Sequence, residues 1–205
     1  MLRWVARASC FVALTLAGSY VLAQAEFSAD IVDLQKPGNP VKVVFTKDKM
    51  RAEMQGGPHG GGVVIVNFAS QTMTILMAQQ HMYMEMPAQN SSQRLGYSFF
   101  EAGDVENACG DWQKSGHNQG GSCHKVGDES VNGRNAVKYE ATNANGDVNH
   151  FWLDPKLRFP VKWQTKSSNG ELRNIQEGAQ PASLFEVPAG FTKMDMGGMM
   201  MQQPH

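Results

Sequence analysis

The stretch "AVKYEATNANGDVNHFWLD", Ala136 to Asp154, holds two strand-like runs on either side of Asn145-Gly146. Asn-Gly supplies the positive φ angles of a tight type I′ turn, so the stretch reads as a β-hairpin. The signal returns in "VKWQTKSSNGELRNI", Val161 to Ile175, around Asn169-Gly170. Two hairpins in succession point to an antiparallel β fold.

Upstream, strand-like runs continue. "FSADIVDLQ" opens, and "VKVVFT" follows with Val41, Val43 and Phe45 on one side. After the polar turn "KDK", Met50, Ala52 and Met54 alternate with Arg51 and Glu53. Period-two alternation marks a strand buried on one face. "GGPHGGG", Gly56 to Gly62, reads as a flexible connection, and the nearly all-apolar "VVIVNFA" as a central strand. "TMTILMA" and "HMYMEM" extend the meander. Two stretches look helical or irregular: "NSSQRLGYSFFEAGDVENAC", and "QPASLFEVP" with a short turn starting near Pro181. The expected fold is mostly β: one antiparallel sheet of roughly nine to eleven strands with small helical lid elements. A sheet of that size curls into a barrel or half-barrel.

The ends are of a different kind. Residues 1–25 pair Arg3 and Arg7 with an apolar run and the motif Ala23-Gln24-Ala25. That is the pattern of a secretory signal peptide cleaved after Ala25, which predicts a periplasmic or secreted protein. Cys10 precedes the apolar run, the reverse of a lipidation site. Residues 26–193 form the expected domain. Residues 194–205, with Met194, Met196, Met199, Met200, Met201 and the terminal His205, lack periodicity and read as a disordered tail. Basic and acidic residues nearly balance, 18 against 19, which excludes a basic nucleic-acid footprint.

Cys109 and Cys123 are the two cysteines beyond the leader. In an exported chain they most simply pair, stapling the polar loop "GDWQKSGHNQGGS". The alternative, a Cys/His metal site with His117 and His124, lacks the paired C-x2-4-C spacing of zinc ligands. No nucleophile elbow, zinc-protease motif, phosphate loop or dinucleotide fingerprint is present, so the chain is read as non-enzymatic and without a cofactor.

In "HMYMEMP", His81 to Pro87, alternation puts Met82, Met84 and Met86 on one face. His81, Tyr83 and Glu85 take the other, expected to face solvent. Met50, Met54, Met73 and Met77 fall on neighbouring strands. Methionine is unbranched and adapts to irregular apolar partners. A core built for stability alone uses more Leu, Ile and Phe. The seven methionines, with Phe68, Phe151 and Trp152, are therefore candidate lining of an apolar cavity. A filled core that serves a structural or interaction role is the bland alternative. Soft-metal binding, Cu(I) held by the tail thioethers and His205, is the other.

The order of elements resembles the LolA-like superfamily of exported lipoprotein carriers. The resemblance rests on "VVFTKDKMRAEM", "VVIVNFASQTMTILMAQQHMYMEMP", the strand "HFWLD", its partner "PVKWQT", the Asn-Gly hairpin, and the ending "PASLFEVPAGF". "VGDESVNGRNAVKYE" is more similar to an uncharacterised, domain-of-unknown-function branch than to LolA itself. The resemblance implies an unclosed β-barrel lidded by helices, with an apolar cavity for lipid or acyl chains. It also implies a transient envelope partner, and the chain is expected to be a monomer. LolA's lid arginine, near the bend after the second strand, has no match here: Lys47 and Asp48 stand in "TKDK", and Arg51 falls inside the next strand. Lysine lacks the planar donor fork of arginine. The cysteine loop and the methionine tail are additions.

Overall fold

The computed structural model describes residues 25–55, 61–88, 105–114 and 120–194. Residues 1–24, 56–60, 89–104, 115–119 and 195–205, which hold nearly all of the expected leader, most of the "GGPHGGG" connection and the tail beyond Met194, lie outside them. Among the described residues twelve strands form one sheet: β1 Phe27–Asp33, β2 Val41–Phe45, β3 Lys49–Met54, β4 Gly62–Asn67, β5 Thr72–Met77 and β6 Met82–Pro87, then β7 Ser122–Val131, β8 Arg134–Thr142, β9 Val148–Asp154, β10 Phe159–Gln164, β11 Asn169–Glu177 and β12 Thr192–Lys193. A helix, α1, spans Ala108–Lys114, and short 3-10 turns cover Ala78–Gln80, Val105–Asn107 and Ala182–Phe185. No helix among the described residues is long and apolar enough to cross a membrane.

The spatial order is β12-β6-β5-β4-β3-β2-β1-β11-β10-β9-β8-β7, and the sheet does not close. β1 is the seam, pairing antiparallel with β2 on one side and β11 on the other. Among the described strands only β12 pairs parallel, against β6. The sheet curls toward one face. In a flat sheet β2 and β10, three strands apart, would lie about 14 Å from each other. The rings of Phe45 and Phe159 instead meet at 4.5 Å, with Phe27 at 4.9 Å from Phe45 and 5.6 Å from Phe159. Bulges at β1/β11, β9/β10 and β7/β8 add local bend and twist. On the inner face Phe27, Val43, Phe45, Met50, Val161 and Leu172 are buried to within a few per cent. Each such side chain contributes about 1.5–3 kcal/mol of transfer free energy.

The hairpins are where the sequence places them, and their turns differ. Asn145-Gly146 lies in a five-residue loop in which only Gly146 has positive φ, at 79°. Asn143 organises that loop: its Oδ1 accepts from the N–H groups of Asn145 and Asp147. Asn169-Gly170 is not a turn at all. Both residues sit in β11, opposite Gln164 and Trp163, and the reversal is made one step earlier, between Thr165 and Ser168. Gly170 is required for space, since a Cβ there would meet Trp163 Cζ2 at 2.5 Å. The pair with positive φ at both positions is Asn132-Gly133, at 50° and 80°, which joins β7 to β8.

Two layers cover the sheet. On the inner face, α1 lies over the β7–β9 end. "GDWQK", expected as loop, is helix: Ala108 and Trp112, four residues apart on one side of α1, pack with Val137, Tyr139, Phe151 and Leu153. Tyr139 Oη donates to the Val105 carbonyl at 2.7 Å, fixing the turn that leads into α1. Cys109 and Cys123 are disulfide-bonded, with Cα atoms 5.4 Å apart, and tie α1 to β7. On the outer face, the Ala182–Phe185 turn covers Val44, Ile65 and Leu76. Arg51 points to this side, donating to the Leu184 carbonyl at 2.8 Å and to Glu53 at 2.9 Å. Tyr83 packs here too, which corrects the expectation that its side of β6 faces solvent.

Candidate ligand-binding face

Alternation fixes which side each methionine takes, and register fixes their neighbours. Phe45 pairs with Met50, Met50 with Val66, Val66 with Met73 and Met73 with Met86, a continuous row across β2 to β6. The next row runs Ala52, Val64, Ile75, Met84. Met77 pairs with Met82 in the row beyond. Directly paired residues share a face, as do residues two apart along a strand. Met50, Met54, Met73, Met77, Met82, Met84 and Met86 therefore all take the inner side, the side of Phe45.

Their burial is graded. Met50 is 1% exposed and belongs to the packed core. Met73, Met77, Met82, Met84 and Met86 are half-buried, and Met54 is 43% exposed. The half-buried members concentrate on β5 and β6, next to the open edge. Ile75 sits among them, packed against the core cluster. The alternation that picks out Met73 and Met77 picks out Ile75 as well, and attention to methionine alone passed it over.

The three aromatic candidates divide, two lying apart from the methionines and one in their core cluster. Phe68 lies in the turn after β4, 42% exposed, its N–H bound to the Asp48 carbonyl. Phe151 is 1% exposed beneath α1 at the far end of the sheet. Trp152, next in the strand, points away from Phe151 and, 3% exposed, belongs to the buried cluster of Phe45 and Met50 against which Met73 and Ile75 pack. Its indole Nε1 donates to Glu129 at 2.7 Å, and the ammonium groups of Lys138 and Lys162 lie 5.0 and 4.7 Å from its ring. Hydrogen bonds from Lys138 and then Trp152 hold the Glu129 carboxyl below its ordinary pKa. Successive strand residues cannot line one cavity, so Phe151 and Trp152 are not joint lining. Trp163, unremarked in the sequence, links the core beneath the methionines to the cluster under α1.

A depression of about 420 Å³ lies at the β7–β8 end, lined by Glu106, Asp128, Glu129 and Asn135 among others, and no methionine reaches it. Among the described residues no group of three or more His, Cys, Asp or Glu side chains is placed to hold a metal ion. Of the alternative copper ligands, Met194 ends the described chain. Met196, Met199, Met200, Met201 and His205 lie beyond it.

The chain matches no protein-family model, and no curated protein matches it by sequence. Its fold is similar to that of an uncharacterized conserved protein from Thermus thermophilus, with 8% identity over 83% of this chain and 90% of that one and a TM-score of 0.54. It is also similar to MucB in the MucA/MucB complex of Pseudomonas aeruginosa, with 15% identity over 82% of this chain and a TM-score of 0.50. The match spans 57% of that MucB chain. The lipoprotein LppX of Mycobacterium tuberculosis overlaps 77% of this chain and 86% of its own at 10% identity, with a TM-score of 0.38. At these identities the likeness to the first two is one of fold alone. That fold is the unclosed, lidded sheet implied by the resemblance to LolA-like chains.

Proposed function

We propose that this chain is an exported, non-enzymatic binder or carrier of a lipid or acyl chain in the bacterial cell envelope. Met73, Met77, Met82, Met84 and Met86, with Ile75, would line the place where the ligand sits. The observation that carries the reading is the half-buried methionine rows on the inner side of a curled, unclosed sheet. A thioether side chain has three rotatable bonds and reshapes around varied apolar partners, which suits a ligand of variable length. Binding needs no chemistry: burying about 300 Å² of acyl chain yields a gross gain of about 7 kcal/mol. The leader-like residues 1–25 support export, and the Cys109–Cys123 disulfide fits an oxidising compartment. A transient protein partner is part of the proposal, in keeping with a fold relative that is found complexed with MucA.

Native mass spectrometry of protein isolated from its own envelope tests this. The expected result is a population carrying lipid-sized mass, displaced by added fatty acid or phospholipid with a rise in melting temperature. Apo protein throughout, with no thermal shift from either class, contradicts it.

A further inference from the structure

The open edge of the methionine face is also where the chain leaves the fold. β12 runs parallel to β6, with Thr192 beside Met82 and Lys193 beside Tyr83. The pairing is held by the bonds from Thr192 N to the His81 carbonyl and from Met194 N to the Tyr83 carbonyl, both 2.8 Å. Lys193 forms an ion pair with Glu85, on the same outer side as Tyr83. By alternation Met194 turns back to the inner side, and it is half-buried there. Eleven residues follow, Asp195 to His205, four of them methionine.

We infer that this tail is an occupant of the methionine face. Continuing the β12 register by three residues would set Met194 beside Met84 and Met196 beside Met86, adding to the same apolar side. Asp195 then falls opposite Glu85, a like-charge contact that the Lys193 ion pair offsets. A reversal at Gly197-Gly198, which glycine permits, would bring Met199, Met200 and Met201 within reach of Met82 and Met84. Reach is sufficient: eleven extended residues span up to about 36 Å, against about 13 Å from Met82 to Met86. Thioethers cover thioethers, and a ligand must displace them, so the tail acts as a competitor built into the chain. Only this competition rests on the ligand-binding reading; coverage of the face does not.

Methionine oxidation by dilute peroxide, read residue by residue by mass spectrometry, tests the coverage with no ligand present. The mature chain is compared with one ending at Met194, which keeps β12, and with a full-length M196S/M199S/M200S/M201S variant. Met82, Met84 and Met86 should oxidise about threefold faster or more in both variants, with Met50 unchanged, because oxidation follows exposure. Equal rates in all three proteins overturn the inference, whatever the lipid experiment shows. A rise shared equally by Met50 means loss of the fold and also counts against it.

Discussion

The two ends of the inner face are built from different materials. At the β7–β9 end the sheet is covered by a helix: Tyr139, Phe151 and Leu153 pack with Ala108 and Trp112, and a disulfide ties the helix to β7. At the β5–β6 end the lining is Met73, Met77, Met82, Met84 and Met86, half-buried and unbranched. Aromatic and branched side chains have few rotamers and specify one packing, while methionine tolerates several. One sheet thus carries an end packed with rigid side chains and an end lined by adaptable ones. Trp163 couples them, touching both clusters.

The largest effects belong to the helix-covered end. Phe151→Ala removes a fully buried ring and should cost about 3–5 kcal/mol in urea unfolding. A Met84→Ala loss of the same size would erase the contrast between the ends. The C109S/C123S double variant should lose about 3 kcal/mol through the entropy of its closed loop. That corresponds to a fall of about 6–12 °C in melting temperature. It should leave oxidation of Met82, Met84 and Met86 unchanged, and faster oxidation there would mean that the two ends are not separable.

The adaptable end should respond in binding rather than stability. A Met82, Met84 and Met86 to Leu triple variant conserves volume and should shift stability by less than about 1.5 kcal/mol. Lipid capture should narrow to fewer chain lengths, read by native mass spectrometry against a fatty-acid series. An unchanged length profile would remove the reason for methionine at this site.

The smallest effect is electrostatic and sits near the base of the β8–β9 hairpin. Hydrogen bonds from Lys156 and then Arg134 hold the Glu177 carboxyl below its ordinary 4.5. A carboxylate with a lowered folded pKa stabilises above its unfolded value, and that contribution is lost as pH falls through the folded one. Glu177→Gln should therefore destabilise slightly at neutral pH and flatten the acid side of the melting profile, with no change in lipid capture.

Much of the architecture was legible because alternation and Asn-Gly pairs are local signals. The side taken by each methionine followed from period two, and twelve strands in place of nine to eleven add mainly the two-residue β12. What escaped was set by contacts distant in sequence. Gly170 looked like a turn residue, and its need comes from the Trp163 ring across the hairpin. "GDWQK" looked like polar loop because the helix is specified by two residues, Ala108 and Trp112, that meet strands β8 and β9. Tyr83 looked solvent-facing because the segment that covers it, around Phe185, lies about a hundred residues downstream. The candidate face was legible as a set of methionines on one side of the strands; Ile75, which the same alternation places among them, was not singled out. Phe68 and Phe151 were drawn in by residue type and lie apart, in a turn and beneath α1, while Trp152 joins the buried cluster of Met50.

The most direct test of a lipid-holding methionine face is photo-crosslinking with a fatty acid that carries a diazirine near its methyl end, mapped by peptide mass spectrometry. The account predicts labels within residues 72–87, concentrated on Met73, Met77, Met82, Met84 and Met86 and competed away by unlabelled fatty acid. Labels scattered over the surface, or confined to α1 and strands β7 to β9, would contradict it.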